Sequence, residues 1–320
     1  MSGELEAALL GELALSPGFV SGEKLARALR VSRATVSRLA RRLVEEGYPV
    51  EAHPKLGYRL VASDDLSAAA RYVGALKASL PFTLCYLESC SSTQEVAAAL
   101  AEAGAGEGTV IVAEEQTAGR GRLGRSWVSP RGGLWFTVLL RPESLRLSHL
   151  LSLTAGVAVA RSLRELYGVD AGLKWPNDVL VEGKKVAGIL VEGSVEADRI
   201  RYALLGVGIN VNDDLPPELR GSALSLKEFT GRPLPRVPLL LKVLKELDRA
   251  YSSLRSGAVE GVLGEWRRLS VTLGKRVKVL SSDGVFEGVA LDIDEWGGLL
   301  VESRDGGQRV FYAGDIVHLR

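Results

Sequence analysis

Just after the apolar run Val110-Ile111-Val112-Ala113, the chain carries a segment rich in glycine and arginine, GRGRLGRSW, from Gly119 to Trp127. Its first seven residues hold three glycines and three arginines. Glycine lets the backbone approach a ligand and keeps a loop mobile, and arginine offers a planar charged fork that fits carboxylate or phosphate. The segment therefore predicts an anion-binding loop that orders when it is filled. The plainer alternative is a solvated basic turn.

The glycines of this loop also match the GxGxxG spacing of dinucleotide-binding proteins. That fingerprint must open a helix to hold a pyrophosphate at the helix N-terminus. Residues 126–133 read SWVSPRGG, which cannot continue a helix. We therefore reject the dinucleotide-binding interpretation.

The composition limits the class of protein. The chain has 320 residues, 46% of them apolar, which predicts a globular protein of two or three domains. The net charge of +1 gives no global electrostatic reason to expect nucleic acid or membrane binding, and no apolar run is long enough to span a bilayer. The acidic N-terminus lacks the basic start of a signal peptide, and Cys85 and Cys90 form no CxxC motif. These features predict a cytoplasmic protein.

Histidines and side-chain amides are both scarce. The three histidines are scattered, which argues against a histidine-based triad and against a metal site built from protein His or Cys. Most of the amides fall inside the motifs described below, where a neutral group can donate and accept at once. The amides are Gln94, Gln116, Gln308, Asn177, Asn210 and Asn212.

Residues 1–64 predict a winged helix-turn-helix. Helices are expected over 4–15, after Ser21 and after Ser32, and a short hairpin is expected around 53–57. Apolar residues of the third helix recur at helical spacing and predict its buried stripe. They are Val36, Leu39, Ala40, Leu43 and Val44.

Basic and small polar residues cover the other face of this third helix and the hairpin, where contacts to phosphates and bases are made. We expect them to bind DNA, together with Arg59 on the hairpin. The alternative is a helical docking or dimerisation module. The candidate DNA-binding residues are Arg33, Ala34, Ser37, Arg38, Arg41 and Lys55.

The rest of the chain divides into two regions after a predicted linker, Ser63-Asp64-Asp65. Residues 65–270 alternate strands and helices and predict a domain with a mainly antiparallel sheet, so the fold class is α+β. Residues 271–320 alternate short strands with glycine-rich turns, which predicts a small β-barrel.

Four motifs share the central region. Ser92-Thr93-Gln94 begins a predicted helix, where plain capping is the simpler interpretation, and the stretch 116–127 contains the arginine loop. KWPND at 174–178 is followed by KKVAGILVE at 184–192, and GVGINVN at 206–212 ends a predicted strand.

In this order, GRGRLGRSW, KWPND, KVAGILVE and GVGIN resemble the motifs of the biotin–protein ligases. The N-terminal helix-turn-helix makes the chain similar to the bifunctional class, which is both ligase and biotin operon repressor. The resemblance covers essentially the whole chain, whereas lipoate ligases lack this arginine loop. It implies a class II synthetase-like α/β catalytic domain and an SH3-like C-terminal domain.

The resemblance implies a two-step reaction. The biotin carboxylate attacks the α-phosphorus of MgATP and gives biotinyl-5′-AMP and pyrophosphate. A lysine of a biotin carboxyl carrier protein then attacks the mixed anhydride, and AMP leaves. Because the nucleophile belongs to the substrate, the site must supply charge neutralisation and positioning rather than an activated side chain.

Three residues carry the implied catalysis. Lys185 would bridge the biotin carboxylate and the α-phosphate. Without the flanking motif, the simpler interpretation would be an exposed hairpin lysine beside Lys184. Arg122 would face the ligand. Asp178 would orient Lys185 or help to deprotonate the incoming lysine, and both roles stay open.

The resemblance also assigns the two substrate sites. Gln94 departs from the usual Asn of the family, which leaves its contact open, and Trp175 is expected in the core rather than in the site. A loop over 213–226 resembles the adenylate-binding loop. The implied biotin-binding residues are Ser92, Thr93, Gln94, Gln116, Arg120, Gly121, Arg122 and Lys185. The implied ATP- and adenylate-binding residues are Trp127, Asn177, Asn210 and Leu219.

The leading interpretation is a ligase that also represses transcription: the adenylate would order the loops, build a homodimer and pair two winged helices on an operator. One alternative is a ligase whose winged helix does not bind DNA. Another is a biotin-sensing transcription factor without ligase activity, against which intact Lys185, Arg122 and Asp178 argue.

Overall fold

The computed structural model of the protein describes residues 2–61, 64–196, 199–281 and 284–319. Its N-terminal part consists of helices α1 (Ser2–Ala14), α2 (Gly22–Leu29) and α3 (Arg33–Glu45), followed by the antiparallel strands β1 (Val50–His53) and β2 (Gly57–Leu60). Ser21 and Ser32 cap α2 and α3 by accepting hydrogen bonds from backbone amides of the first turn. Three helices and a two-stranded hairpin thus form in the predicted order.

The apolar stripe of α3 is buried except at its end. Val36, Leu39, Ala40 and Leu43 are buried, but Val44 is 50% exposed, contrary to the prediction. Val44 lies about 80° around the helix from Val36, at the edge of the stripe in the last turn. No element packs over that edge among the described residues.

The N-terminal part packs closely on the segment that follows the linker. This segment contains 3₁₀ turns at Leu66–Ala68 and Gly74–Leu76 around helix α4 (Ala70–Val73). A Cβ on Gly11 of α1 would lie 2.7 Å from the carbonyl oxygen of Ala75, so only glycine allows this approach. Of the predicted linker, Asp64 and Asp65 are described and Ser63 lies outside the described residues.

A sheet with the strand order β3-β4-β5-β9-β8-β7-β6 forms the centre of the protein. Only β3 and β4 are parallel; the other neighbours are antiparallel, as the sequence predicted. The strands are β3 (Thr83–Leu87), β4 (Thr109–Ala113), β5 (Leu134–Leu140), β6 (Gly172–Lys174), β7 (Asp178–Val181), β8 (Lys184–Glu196) and β9 (Arg199–Ile209).

Helices cover this sheet. The longest, α6 (Leu145–Tyr167), is buried on most of its surface, as its apolar sequence predicted, and it packs against α8 (Arg236–Arg255), α9 (Val259–Leu269) and the sheet. The other helices of the central region are α5 (Thr93–Glu102), α7 (Leu226–Thr230), α8 (Arg236–Arg255) and α9 (Val259–Leu269), with a 3₁₀ turn at Pro217–Leu219.

The hairpin of β7 and β8 has a two-residue turn that the sequence predicted. Glu182 and Gly183 both have positive φ, 49° and 75°, as the tight turns of β-hairpins require. The turn brings Asp178 on β7 and Lys185 on β8 onto neighbouring strands.

The C-terminal strands form one five-stranded antiparallel sheet in the order β13-β12-β11-β10-β14. In the part of the chain that the structure describes, β13 and β14 form no ladder with each other, so the predicted barrel is found only as a sheet that hydrogen bonds do not close. The strands are β10 (Arg276–Ser281), β11 (Gly284–Ile293), β12 (Leu299–Glu302), β13 (Gln308–Phe311) and β14 (Asp315–His318).

None of the helices within the described residues combines the length and the apolar character that crossing a membrane requires.

Candidate active site

The motif residues surround a cavity of about 780 Å³, including its open mouth, which we call the first cavity. Every residue that the sequence predicted to bind biotin lines it. The N-terminus of α5, the arginine loop and the facing strands β8 and β9 supply the wall. Motifs that are far apart in the chain therefore meet in one place.

A second cavity of about 1,370 Å³ adjoins the first. Of the predicted nucleotide-binding residues, Trp127, Asn210 and Leu219 line it, whereas Asn177 lines the first cavity instead. The 213–226 segment forms one side of the second cavity, and β14 forms another. The two cavities share the residues that we call the junction: Ser126, Trp127, Asp178 and Lys185.

Lys185 is the cation of the junction. Its Nζ lies 2.6 Å from Asp178 Oδ1 and 4.9 Å from the centre of the Trp127 ring. Its backbone is also held, because its N–H donates to Ser222 O (2.9 Å) and its carbonyl accepts from Leu224 N (3.0 Å). The 213–226 segment is thus hydrogen-bonded to the residue that stands between the cavities.

Glycines form the floor under the Trp127 ring. Gly188 and Gly208 are direct partners on β8 and β9. A Cβ on Gly208 would lie 2.6 Å from Trp127 Nε1, and one on Gly188 would lie 2.8 Å from Trp127 Cζ3 and 3.1 Å from Lys185 Cε. These distances explain the glycines of the AGILVE and GVGIN motifs, because any side chain there would expel the indole.

The arginine loop is a closed hairpin rather than the start of a long helix. Gly121 N donates to Arg125 O (2.7 Å), and Trp127 N donates to Gly119 O (2.8 Å). Only a single 3₁₀ turn, Arg122–Gly124, lies between these bonds. This geometry agrees with the rejection of the dinucleotide-binding interpretation.

The arginines of the loop have different partners. Arg120 is ion-paired with Glu192 (2.9 Å), and Arg125 is ion-paired with Asp315. Arg122 donates to Asn177 Oδ1 (3.1 Å) and to Gly314 O (3.3 Å), and burial lowers the pKa of its guanidinium. Its nearest acceptors are neutral and the carboxylate of Asp315 is more distant (3.9 Å), so this partly buried cation is suited to receive a ligand anion.

Two of the amides predicted to bind substrate make hydrogen bonds to other groups of the protein. Asn177 holds Arg122 with its oxygen and donates to Ile189 O (2.8 Å) with its nitrogen. Gln116 Oε1 accepts from Thr93 N (2.8 Å) and Thr93 Oγ1 (3.0 Å), while its Nε2 donates to Ser129 Oγ (2.8 Å). Both side chains therefore position other groups of the site.

Ser92 caps α5 by accepting a hydrogen bond from Gln94 N (3.3 Å), and it also lines the first cavity. The simple capping interpretation therefore holds alongside its place in the cavity.

The C-terminal sheet contributes residues that the sequence reasoning missed. Gly314 and Asp315 contact the arginine loop, and Ile316, Val317 and His318 line the second cavity. Burial, together with Lys174 and Lys275, lowers the pKa of His318, which is therefore neutral near pH 7. The only signal in the sequence was the position of these residues on a short strand, which does not indicate what the strand faces.

Asp213 begins the segment beside the second cavity and is 1% exposed. Neither of its carboxylate oxygens has a hydrogen-bond partner among the described residues. Burial raises the pKa of Asp213 from 3.8 to about 6. The folded protein thus binds the Asp213 proton more tightly than the unfolded chain does, so stability is lost as the pH rises from about 4 to about 6.

We expect Asp213→Asn to be more stable than the parent above pH 6 and no more stable near pH 4, because the amide carries no charge to bury. Thermal unfolding of both proteins across this range measures the difference. Asp214→Asn is the matched control. Lys227 lowers the pKa of Asp214, so replacing Asp214 should reduce the stability of the protein above pH 4. If the difference in thermal stability between Asp213→Asn and the parent does not change with pH, the raised pKa of Asp213 is refuted.

A second surface lies on the N-terminal part. Arg33, Ala34 and Ser37 of α3 and Lys55 of the hairpin line one groove of about 1,180 Å³. Arg38 and Arg41 are exposed on α3. Arg59 instead pairs with Glu51 (2.7 Å) and stacks over Phe19, so its charge is already compensated.

The described residues include no group of three or more His, Cys, Asp or Glu side chains that could hold a metal ion. Trp175 is 1% exposed, as expected of a core residue.

Comparison with known proteins extends these observations. The sequence profile of the biotin/lipoate A/B protein ligase family matches residues 86–210, that of the biotin protein ligase C-terminal domain matches 272–319, and an HTH domain matches 6–59. The bifunctional ligase/repressor BirA of Bacillus subtilis is 38% identical over 301 residues, which cover 92% of this chain and 93% of that protein.

Two further proteins are similar over shorter lengths. The biotin–[acetyl-CoA-carboxylase] ligase of Mycobacterium tuberculosis is 38% identical over 67% of this chain and 80% of its own. The biotin protein ligase of Aquifex aeolicus, solved with biotin and ATP, superposes with a TM-score of 0.65 at 36% identity, covering 74% of this chain and 98% of that one. Since the similarity to the bifunctional proteins runs through both the helix-turn-helix and the site, this chain belongs to the biotin–protein ligase family, in the group of the bifunctional ligase/repressors.

Proposed function

We propose that this protein is an ATP-dependent biotin–protein ligase that forms biotinyl-5′-AMP and transfers biotin to a specific lysine of a biotin carboxyl carrier protein. One observation carries the proposal: Lys185 and Asp178 stand where two adjoining cavities meet. One cavity is lined by hydroxyls, amides and arginines, and the other by the 213–226 segment and β14. Such a junction brings a carboxylate and a phosphate together.

In the first step, a carboxylate oxygen of biotin attacks the α-phosphorus of MgATP, and pyrophosphate leaves. Two anions approach each other, so the main task of the protein is to neutralise their repulsion. Lys185 does this from the junction, Arg122 adds a second positive charge, and Asp178 orients the Lys185 ammonium at 2.6 Å. Trp127 lies against the adenine, and Leu219 covers it.

In the second step, the amine of the acceptor lysine attacks the carbonyl carbon of the anhydride. The bond to phosphate breaks, AMP leaves, and the amine loses its proton. Mg²⁺ enters with ATP as part of the substrate, since it takes its ligands from phosphate oxygens and water. No side chain of the protein needs to become covalently modified.

Pyrophosphate release tests the ligase proposal. The protein with MgATP should release pyrophosphate only when biotin is present, and biotinyl-AMP should be recovered from the protein. Addition of a carrier domain should then yield its biotinylated lysine and AMP. Lipoate in place of biotin serves as the control. Pyrophosphate release that does not depend on biotin would overturn the proposal.

We also propose that the N-terminal part is a winged helix-turn-helix that represses biotin genes in the cytoplasm when the adenylate is bound. The groove lined by Arg33, Ala34, Ser37 and Lys55 supports this, because it joins α3 to the hairpin on one basic surface that Arg38 and Arg41 extend. The loaded protein would form a homodimer that pairs two such surfaces on an operator. We further propose that the C-terminal sheet belongs to an SH3-like domain.

Hydrogen bonds between the linker and residues near the site support the proposal that the bound adenylate controls DNA binding. Asp64 accepts from Arg236 Nε (2.8 Å) and from Asn212 Nδ2 (3.3 Å), and Asn212 immediately precedes the 213–226 segment. Arg236 also donates to Gly133 O (3.0 Å), beyond the arginine loop. Asp64 of the linker is therefore joined to the residue that precedes the 213–226 segment and, through Arg236, to the part of the chain that follows the arginine loop.

Fluorescence anisotropy on DNA from upstream of the host's biotin genes tests the repressor proposal. We expect tight binding with biotin and MgATP and weak binding without them. The dependence on salt concentration should follow the number of phosphates contacted. Arg38→Ala should weaken this binding without changing adenylation. Equal, weak binding in both states would leave a ligase whose helix-turn-helix has another role, and DNA binding without adenylation would favour a pure sensor.

A further inference from the structure

His318, at the end of β14, is held in one tautomer. It lines the second cavity, and its Nε2 lies 3.3 Å from Thr272 Oγ1. Thr272 is completely buried, and its hydroxyl already accepts a hydrogen bond from Trp175 N (3.1 Å). The hydroxyl hydrogen therefore has His318 Nε2 as its acceptor. A neutral imidazole that accepts at Nε2 carries its proton on Nδ1, so His318 is an Nδ1–H donor.

This Nδ1–H group is left for a ligand. Thr272 is the one side-chain hydrogen-bond partner of His318 among the described residues. Burial, and after it the charges of Lys174 and Lys275, lower the pKa of His318, so the ring is neutral near pH 7. The carboxylate on its own strand, Asp315, is ion-paired with the arginine loop. The ring therefore faces cations rather than free carboxylates, and the group that it offers is a donor.

Lys174 on β6 brings a positive charge to the same cavity. It lines the second cavity and is the direct cross-strand partner of Asp178 on β7. Asp178 is the one carboxylate among the described residues that line this cavity, and it is ion-paired with Lys185. No carboxylate lies within ion-pair distance of Lys174 in the described part of the chain. An uncompensated cation thus stands beside the junction, close to the N–H donor of His318.

We propose that Lys174 and His318 together bind the β- and γ-phosphates of ATP, with the charge coming from Lys174 and a directed hydrogen bond from His318 Nδ1–H. The inference rests on the proposed function. With the α-phosphate at Lys185, Lys174 is the remaining cation among the described residues that line the second cavity. The pair also holds the pyrophosphate that leaves in the first step, where a positive charge stabilises the charge that develops on the leaving group.

Histidine-selective NMR tests the contact directly, because the chain contains only three histidines. His53 and His149 line neither of the two cavities and serve as internal controls. In the parent protein without biotin, MgATP should shift the His318 signals and raise the pKa of the ring, because phosphate anions favour the charged imidazolium. AMP at saturation should leave that pKa unchanged, since its one phosphate stays at the junction. Equal pKa changes with MgATP and AMP, or none with saturating MgATP, would overturn the proposal.

Two amide variants separate phosphate binding from a merely structural role. The amide nitrogen of asparagine takes the place of Nδ1, whereas the amide of glutamine reaches the place of Nε2 and can still accept from Thr272. His318→Gln should therefore raise the KM for MgATP in adenylation about 10-fold or more, and His318→Asn should raise it less. The KM for biotin should not change in either variant. A structural role predicts the reverse order, because only glutamine keeps the bond to Thr272, and that order would refute the contact.

A pair of lysine variants tests the charge. Lys174→Met should raise the KM for MgATP about 10-fold or more. Lys275→Met should change it less than about 3-fold, because Lys275 is exposed, does not line the second cavity and is screened by salt. Both variants should raise the pKa of His318 in the nucleotide-free protein, because each lysine lowers it. Equal changes in KM would mean that ATP responds only to the overall charge and would overturn the contact with Lys174.

These outcomes are separable from failure of the ligase proposal. If the parent binds no MgATP and forms no biotinyl-AMP, the proposed function fails. If the parent forms biotinyl-AMP but MgATP leaves the pKa of His318 unchanged, only the phosphate contact fails. Thermal unfolding of each variant establishes that a higher KM does not result from loss of the fold.

Discussion

Lys185→Ala should form biotinyl-AMP about 10²- to 10³-fold more slowly than the parent protein, with its fold unchanged. Lys185 is the cation at the junction, 2.6 Å from Asp178 and between the two cavities. Without it, the biotin carboxylate and the α-phosphate meet with less neutralising charge, so the transition state is destabilised more than either bound substrate. Single-turnover formation of biotinyl-AMP, with thermal unfolding as the check on the fold, measures both parts of the prediction.

Lys184→Ala is the matched control for this experiment. Lys184 precedes Lys185 on β8, but it does not line either of the two cavities. Its removal should leave the adenylation rate within about 3-fold of the parent, since surface charges act weakly at a distance. Near-normal adenylation by Lys185→Ala, or equal losses in the two variants, would remove Lys185 from the role proposed for it.

Arg236→Met should lower the free energy of unfolding by about 3–5 kcal/mol, the largest stability effect that we expect. Arg236 is 5% exposed and donates to Asp64, to Glu114 Oε1 (2.7 Å) and to Gly133 O (3.0 Å). Burial alone lowers the pKa of Arg236, but the hydrogen bonds and charges of Asp64 and Glu114 raise it overall. Methionine fills the space but leaves the carboxylate of Glu114, whose side chain is only 12% exposed, without its cation.

Urea denaturation measures this loss, and Arg232→Met provides the control. Arg232 is exposed in the turn before α8 and should tolerate methionine with a change of less than about 0.5 kcal/mol. A second variant, Glu114→Gln in the Arg236→Met background, should recover part of the lost stability because it removes the uncompensated charge. If Arg236→Met loses less than about 1 kcal/mol of unfolding free energy, the hydrogen bonds and ion pairs of Arg236 contribute little to the stability of the fold.

Much of the site could be predicted from the sequence because its chemistry is carried by short motifs. The arginine loop contains its own hydrogen-bonded turn, and the Glu182-Gly183 turn brings Lys185 onto the strand beside Asp178. Such local geometry depends on residues that are close in the chain. The same holds for the caps of α2 and α3, where a serine precedes an amphipathic run.

The partners within the site could not be predicted in this way. Asn177 was expected beside the nucleotide, yet it holds Arg122 in the first cavity. Arg122 also reaches Gly314, 192 positions further along the chain. No spacing rule connects residues so far apart, because their contact depends on how two sheets pack. The edge position of Val44 and the open C-terminal sheet have the same origin.

Local sequence patterns were enough to predict the helix-turn-helix order, the mainly antiparallel central sheet, and the biotin-site motif residues, all of which line the first cavity. They were enough because helical periodicity, turn residues and motif chemistry are local properties. Packing of the folded chain was needed to place Gly188 and Gly208 as the floor for Trp127, to bring β14 to the border of the second cavity, and to join Asp64 of the linker through Arg236 to Glu114 and Gly133, on either side of the arginine loop. Those contacts join residues that are distant in the chain, so they exist only once the sheets and helices have packed together.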